Sequence, residues 1–186
     1  MNMKPEQLEQ IKEQFKTLKE RSSFYARKFE GIDLSDVQSQ EDFQKLPFSE
    51  KADLREVYPL GLAAVPEEKI VRIHSSSGTT GTPVIIPYTQ KDVTDWAIQF
   101  ARCYEVAGIT NKDRIHITPG YGLWTAGIGF QLGAERLGAM AVPMGPGNTE
   151  KQLRFMKDMK TTVLCATSSY ALLLAEEIAA RGVRDE

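Results

Sequence analysis

A chain of 186 residues that is 41% hydrophobic and 26% charged can bury a sizeable core, and it is neither disordered nor fibrous in composition. Its formal net charge of −2 carries no basic excess of the kind that marks nucleic-acid binding. Residues 1–19 are charged and lack the apolar core of a targeting segment, and no apolar run reaches membrane-spanning length, so a cytoplasmic protein without nucleic-acid or membrane partners is expected.

Residues 5–21 read as an amphipathic helix, with Leu8, Ile11, Phe15 and Leu18 on one face. The aromatic cluster Phe24, Tyr25 and Phe29 follows and is expected to anchor this region to the main body. Residues 31–51 are irregular, with short helical turns. Ser39 with Asp42 fits a capping box, and Ser49 with Asp53 fits one less well because the spacing is one residue too long. A brief helix over 51–58 is stopped by Pro59, and a Gly/Ala-rich connector leads to Pro66.

Strands are expected at 70–74 and 84–86, forming a hairpin around a long loop. Thr89 is placed to cap a helix whose buried face carries Val93, Trp96, Ala97, Phe100 and Cys103. From there strands at 114–118, 138–144 and 162–166 alternate with helices at 123–136, 149–160 and 168–181. Thr149 with Gln152 is read as a capping box, Ser168 or Ser169 as the last cap, and Gly182 as a helix terminator. This alternation predicts an α/β fold with a mainly parallel sheet and flanking helices. A helical N-terminal segment, 1–66, would pack on an α/β domain, 67–186. Ligands bind at the carboxyl edge of such sheets, so the loops at 75–83, 119–125, after Val142 and after Ala166 are expected to converge.

The richest chemistry lies between the two hairpin strands. Ser75, Ser76, Ser77, Gly78, Thr79, Thr80 and Gly81 combine hydroxyl donors with glycines that let backbone N–H groups converge. That composition suits a loop gripping phosphate oxygens, and it equally suits a polar hairpin turn. It is not a P-loop, because Thr82 and Pro83 follow Gly81 where that motif needs Lys and a hydroxyl residue. The serines lack the flanking glycines of a nucleophile elbow. Gly120, Gly122 and Thr125 approach a dinucleotide fingerprint but lack its last glycine and its acidic ribose partner, which sets an oxidoreductase aside. Tyr121 and Trp124 suit either a flat apolar cleft wall or packing between loop and helix. His74 and His116 fall in different strands and read as structural, with no cysteine or carboxylate clustered for zinc. Glu135 with Arg136 reads as a buried pair or a solvated helix end. Cys103 and Cys165 read as separate buried thiols.

Ordered motifs across residues 22–181 resemble the N-terminal part of phenylacetate–coenzyme A ligases, a branch of the adenylate-forming enzymes. They are Ser23-Phe-Tyr25, Leu46-Pro-Phe48, Asp53-Leu-Arg55, Tyr58-Pro59, Val71-Arg-Ile-His-Ser-Ser-Ser-Gly-Thr-Thr-Gly81 and Pro87-Tyr-Thr89. They continue through Gly120-Tyr-Gly122, Gly133-Ala-Glu135, Thr149-Glu150 with Gln152, and Ser169-Tyr170. The resemblance implies that residues 75–81 handle ATP phosphates and that Tyr121, Gly122 and Trp124 help wall an aryl-acid pocket. It implies an AMP-forming reaction using ATP, coenzyme A and Mg²⁺, in which a small, aromatic carboxylic acid is adenylated and then passed to the thiol. Metal ligands are not assigned by it.

Four departures stand out: Val84 and Thr82 where relatives often have Lys, Ser168 where Pro is common, and Trp124 where Phe is frequent. The last widens the expected substrate from phenylacetate to an aryl or related small acid. The later adenine and ribose motifs and the lysine-bearing C-terminal domain are not in these residues. The chain is therefore expected to be a truncated product, inactive alone and able to self-associate. The alternatives are a noncatalytic nucleotide- or acyl-adenylate-binding module and, more weakly, a partner-binding module.

Overall fold

The computed structural model describes residues 4–79 and 81–182. The chain divides after Gln90 into two units, so the hairpin that the sequence grouped with residues 67–186 lies in the first of them.

The first unit opens with α1 (Pro5–Arg21), whose proline at the first helical position loses no intrahelical bond there. Its apolar stripe is half-buried. The Phe15 ring lies 5.1 Å from Phe29 and stacks at 6.0 Å on Phe43. Phe24, on α2 (Ser23–Lys28), and Phe29 are buried, and the aromatic cluster packs within this helical segment. α3 (Gln40–Phe43) is capped by Ser39, whose Oγ accepts the Asp42 N–H at 3.1 Å. α4 (Lys51–Glu56) corrects the second expected box. Its cap position is Glu50, not Ser49, and the Glu50 N–H donates to Asp53 Oδ2 at 3.1 Å, which restores the three-residue spacing.

Asp53 also receives Lys28 Nζ at 2.6 Å, tying α4 to α2 across 25 residues. The Lys28 bond first, and the Glu50 N–H second, hold the Asp53 carboxyl below its usual pKa. A depressed carboxylate stabilises the fold above the unfolded value, about pH 4, and that contribution disappears as pH falls through the folded value. Asp53→Asn is therefore expected to lower the melting temperature at pH 7, with the gap from the parent closing below about pH 4. A gap that persists unchanged at low pH would contradict this role.

β1 (Ile70–Ser75) and β2 (Ile85–Thr89) pair antiparallel, with Ser75 opposite Ile85 and Ile73 opposite Pro87. The second strand starts one residue later than expected and runs on to Thr89. Pro87 is tolerated because a two-stranded ribbon leaves an edge where no N–H is needed.

The second unit begins in α5 (Gln90–Val106), which buries Val93, Ala101 and Tyr104. Cys103, expected on that face, is exposed. At about 100° per residue, Ala101 and Tyr104 lie about 80° and 20° round the helix from Val93 in one direction, whereas Cys103 lies about 80° round in the other, off the face those three share. β3 (Arg114–Ile117), β4 (Met140–Pro143) and β5 (Val163–Cys165) form a parallel sheet in the order β4-β3-β5. The connecting helices are α6 (Ala126–Leu137) and α7 (Thr149–Asp158), and α8 (Ser168–Arg181) follows β5.

Ile115 and Ile117 are fully buried on one sheet face, with Tyr104, Ala134 of α6 and Cys165. His116 alternates to the other face, where it meets Gln152 of α7. The two crossovers leave β3 and β4 in opposite directions across the sheet. Right-handed connections then require helices on opposite faces, and that is the arrangement found. The fold is thus the expected α/β class, with a parallel sheet, flanking helices and a helical N-terminal segment.

Two further caps differ from expectation. Asn148, not Thr149, caps α7, its Oδ1 accepting the Lys151 N–H at 3.0 Å from a left-handed backbone. Gln152 is freed from capping and is buried. Thr167 holds the cap position of α8 in place of Ser168 or Ser169, while Gly182 ends the helix at φ +68° as expected. Glu135 accepts a bond from Gln131 on the exposed side of α6, the solvated reading.

Candidate functional site

In the first unit the hairpin strands close at Ser75 and Ile85, and the loop between them has a bonded neck. The Ser76 N–H donates to Val84 O at 3.0 Å, and the Val84 N–H donates back to Ser76 Oγ at 2.9 Å. Farther out, the Gly81 N–H donates to Gly78 O at 3.0 Å. Gly78 and Gly81 take φ +67° and +128°, conformations that side chains disfavour. Ser77 Oγ and Thr79 Oγ1 stand 3.5 Å apart, and both residues are exposed. Of the residues assigned to phosphate, Ser76 and Gly81 therefore hold the loop's shape, and Ser77 and Thr79 present hydroxyls outward. Thr80 lies outside the described residues. His74, 3% exposed, meets the Tyr88 ring edge-on at 5.2 Å beneath this loop.

This division of labour is testable. Ser76→Ala removes the acceptor of the Val84 N–H and is expected to cost about 1 kcal/mol. Ser77→Ala and Thr79→Ala are expected to stay within about 0.5 kcal/mol of the parent. Equal losses at all three positions, measured by urea unfolding, would contradict the assignment.

In the second unit the sheet's carboxyl edge is built around the end of β3. The Thr118 N–H and Oγ1 both donate to Cys165 O, each at 3.0 Å, which locks this end of β3 to β5. The chain then turns through residues 119–125. At Gly127, a Cβ would stand 2.6 Å from Gly120 O, so the glycine lets α6 start directly against the turn. Tyr121 is half-buried against the core, Gly122 is exposed at φ +107°, and Trp124 is 56% exposed. The three predicted acid-binding residues thus divide, Tyr121 inward and Trp124 outward. Tyr121 Oη is buried and has no hydrogen-bond partner among the described residues. Burial, with smaller contributions from Glu135 and Cys165, pushes this hydroxyl's pKa up and keeps it a proton donor.

The connection from β4 to α7 approaches Tyr121. A Cβ on Gly145 would lie 3.9 Å from Tyr121 Cδ2. This connection is held from behind by a pair that sequence reasoning did not single out. His116 Nε2 lies 2.6 Å from Gln152 Oε1, and Gln152 Nε2 donates to Gly145 O at 2.7 Å and Gly147 O at 3.1 Å. Burial lowers the His116 pKa, opposed in part by the Gln152 bond, so the ring is neutral. The partners stand 36 residues apart, and no local pattern joins them. A second buried pair, Tyr104 Oη with Phe130 O at 3.1 Å and Cys165 Sγ at 3.4 Å, belongs to the core.

Among the described residues, no group of three or more His, Cys, Asp or Glu is placed to hold a metal ion. No helix among them is long and apolar enough to cross a membrane.

No protein-family model matches the chain. Individual relatives do. The chain is 42% identical over 183 residues to a phenylacetate–coenzyme A ligase of Pseudomonas putida, covering 97% of this chain and 42% of that protein. It is 44% identical over 174 residues to the Escherichia coli (strain K12) phenylacetate–coenzyme A ligase, covering 92% of this chain and 40% of the relative. Among solved structures, 2-hydroxyisobutyryl-CoA ligase in the postadenylation state with 2-HIB-AMP superposes with a TM-score of 0.86 at 30% identity, over 93% of this chain and 38% of that one. The same ligase with 2-HIB-AMP and CoA in the thioesterification state gives 0.87 at 32% identity, over 93% and 39%. The chain spans about two-fifths of the length of the curated relatives it matches. Nearly all of the chain is homologous to phenylacetate–coenzyme A ligases, an extent consistent with an N-terminal portion of such a protein.

Proposed function

We propose that the chain is the N-terminal, phosphate- and acid-binding part of an ATP-dependent, AMP-forming ligase that joins an aromatic acid to coenzyme A. The observation that carries this reading is 42–44% identity to phenylacetate–coenzyme A ligases along 92–97% of the chain. The exposed hydroxyls of Ser77 and Thr79 supply donors for phosphate oxygens, and the neck at Ser76 and Val84 holds them in register. In the whole enzyme a substrate carboxylate oxygen would attack the α-phosphorus of ATP and expel pyrophosphate. The sulfur of coenzyme A would then attack the acyl carbon, lose its proton and expel AMP. Tyr121, backed by Gly145, would form part of the wall against the acid, with Gly122 and Trp124 at its rim.

Residues 75–83 hold no carboxylate, so this loop offers Mg²⁺ no charged ligand. The proposed organisation keeps a helical segment, 1–66, ahead of the nucleotide- and acid-binding residues, 67–186. The proposed location is the cytoplasm, where ATP and coenzyme A are at hand, and no nucleic-acid partner is proposed for a chain of net charge −2.

The test is pyrophosphate release by a protein of the relatives' full length, given ATP, Mg²⁺ and a panel of aryl and aliphatic acids. Release with an aryl acid is expected, with Ser77→Ala and Thr79→Ala each raising the KM for ATP about ten-fold, as the loss of one phosphate hydrogen bond allows. Silence with every acid would sink the ligase reading. The two-fifths coverage favours a second reading for these residues alone, a nucleotide- or acyl-adenylate-binding module without turnover. Residues 1–186 binding ATP but releasing no pyrophosphate is the outcome it predicts.

A further inference from the structure

The connection from β4 to α7 is unusual in its backbone. Gly145, Gly147 and Asn148 all take left-handed conformations, at φ +71°, +85° and +50°. Such a run does not hold itself, because it makes neither a helix nor a ladder. Two anchors hold it instead. The Gly145 N–H donates to Ile117 O at 3.0 Å, stitching the connection to β3. The Gln152 amide donates to the carbonyls of both Gly145 and Gly147.

Those two bonds also settle the orientation of Gln152. Carbonyl oxygens only accept, so the NH₂ group faces them and Oε1 faces His116. His116 Nε2 must then carry the proton and donate it. The histidine is 0% exposed and Gln152 1% exposed, so neither exchanges these bonds for water at the surface. His116 Nδ1 is left without a partner among the described residues. The ring's link to this connection therefore runs through the single bond to Gln152. The line runs from His116 through Gln152 to Gly145, where a Cβ would come within 3.9 Å of Tyr121 Cδ2.

We propose that His116 and Gln152 are positioning residues that set the height of the Gly145 backbone against the Tyr121 ring, and thereby the size of acid the cleft accepts. This rests on the ligase reading above. A small displacement of a cleft wall changes selectivity between acids differing by one group about 10–200-fold, whereas a merely structural loss lowers all activity together. The bonds also explain why neither residue needs to touch a substrate to matter.

The experiment uses the full-length protein, its Gln152→Met and His116→Leu variants, and His116→Gln as the conservative replacement that can still donate to Gln152 Oε1. The readouts are kcat/KM for an aryl acid and a small aliphatic acid, and KM for ATP. Gln152→Met and His116→Leu are expected to shift the ratio of the two kcat/KM values about ten-fold or more, with KM for ATP within about two-fold, and His116→Gln is expected to bring the ratio back to within about three-fold. If those two variants do not fold, Gly145→Ala, which adds a methyl in contact range of Tyr121, must shift the same ratio. An unchanged ratio, or equal losses for both acids, overturns the proposal while the active parent leaves the ligase reading standing. A parent that activates no acid overturns both.

Discussion

Replacing Gln152 by leucine is expected to destabilise the second unit by about 3 kcal/mol, because two buried groups and one part-buried carbonyl lose their partner at once. They are the His116 Nε2–H and the carbonyls of Gly145 and Gly147. Leucine is no smaller than glutamine, so the loss does not come from a cavity. Both tryptophans, Trp96 and Trp124, lie in the second unit, so tryptophan fluorescence during urea unfolding reports on it directly. A shift smaller than about 1 kcal/mol would show that water reaches these groups and replaces the amide.

The same network has a pH signature. The folded His116 pKa is depressed below its ordinary value, chiefly by burial. The unfolded histidine therefore takes up a proton first as pH falls, near pH 6.5. Stability is complete above that value and declines as pH drops toward the folded one. His116→Gln is expected to remove this slope below about pH 6.5, even if it lowers stability at pH 8. Parallel stability curves for parent and variant would refute it.

Gly133→Val is expected to cost about 2–3 kcal/mol, at the upper end of overpacking. A Cβ at Gly133 would lie 2.5 Å from Phe100 Cβ and 3.0–3.2 Å from backbone atoms of Phe100 and Ala101. None of these atoms can move without shifting α5. Gly129 makes an instructive contrast, since its Cβ would meet Phe100 Cζ at 2.6 Å, Cε2 at 2.8 Å and Trp96 Cζ2 at 2.9 Å. Those atoms are ring tips that can turn aside. Gly129→Ala is therefore expected to be milder and to be rescued by Phe100→Leu, while Gly133→Val is not. A double-mutant cycle by urea unfolding separates the two, and rescue at Gly133 would contradict the close helix approach inferred here.

Local rules account for what the sequence by itself determined. The apolar spacing of Leu8, Ile11, Phe15 and Leu18 defines α1, because a helix repeats every 3.6 residues wherever it packs. The hairpin, the three parallel strands and the left-handed Gly182 terminator were legible for the same reason: each depends on neighbours in sequence. Ordered motifs in the sequence also mark the loop of Ser75 to Gly81 and the turn of Tyr121 to Trp124.

Tertiary structure decided which side chains face one another. Cys103 and Tyr104 are adjacent and both compatible with an apolar helix face, yet only Tyr104 turns toward Cys165. Thr149 with Gln152 has the right spacing for a capping box, yet Asn148 takes the cap because its left-handed backbone puts the carboxamide under the Lys151 N–H. Gln152 then points at His116, a residue on another element, and the pair holds the connection beside Tyr121. Within the loop, the fold also decides the split between Ser76, which accepts the Val84 N–H, and Ser77, which is exposed. Residue type and spacing are the same for a hydroxyl that builds a loop and one that presents to a ligand. The direction of the bond distinguishes them, and direction is set by the fold.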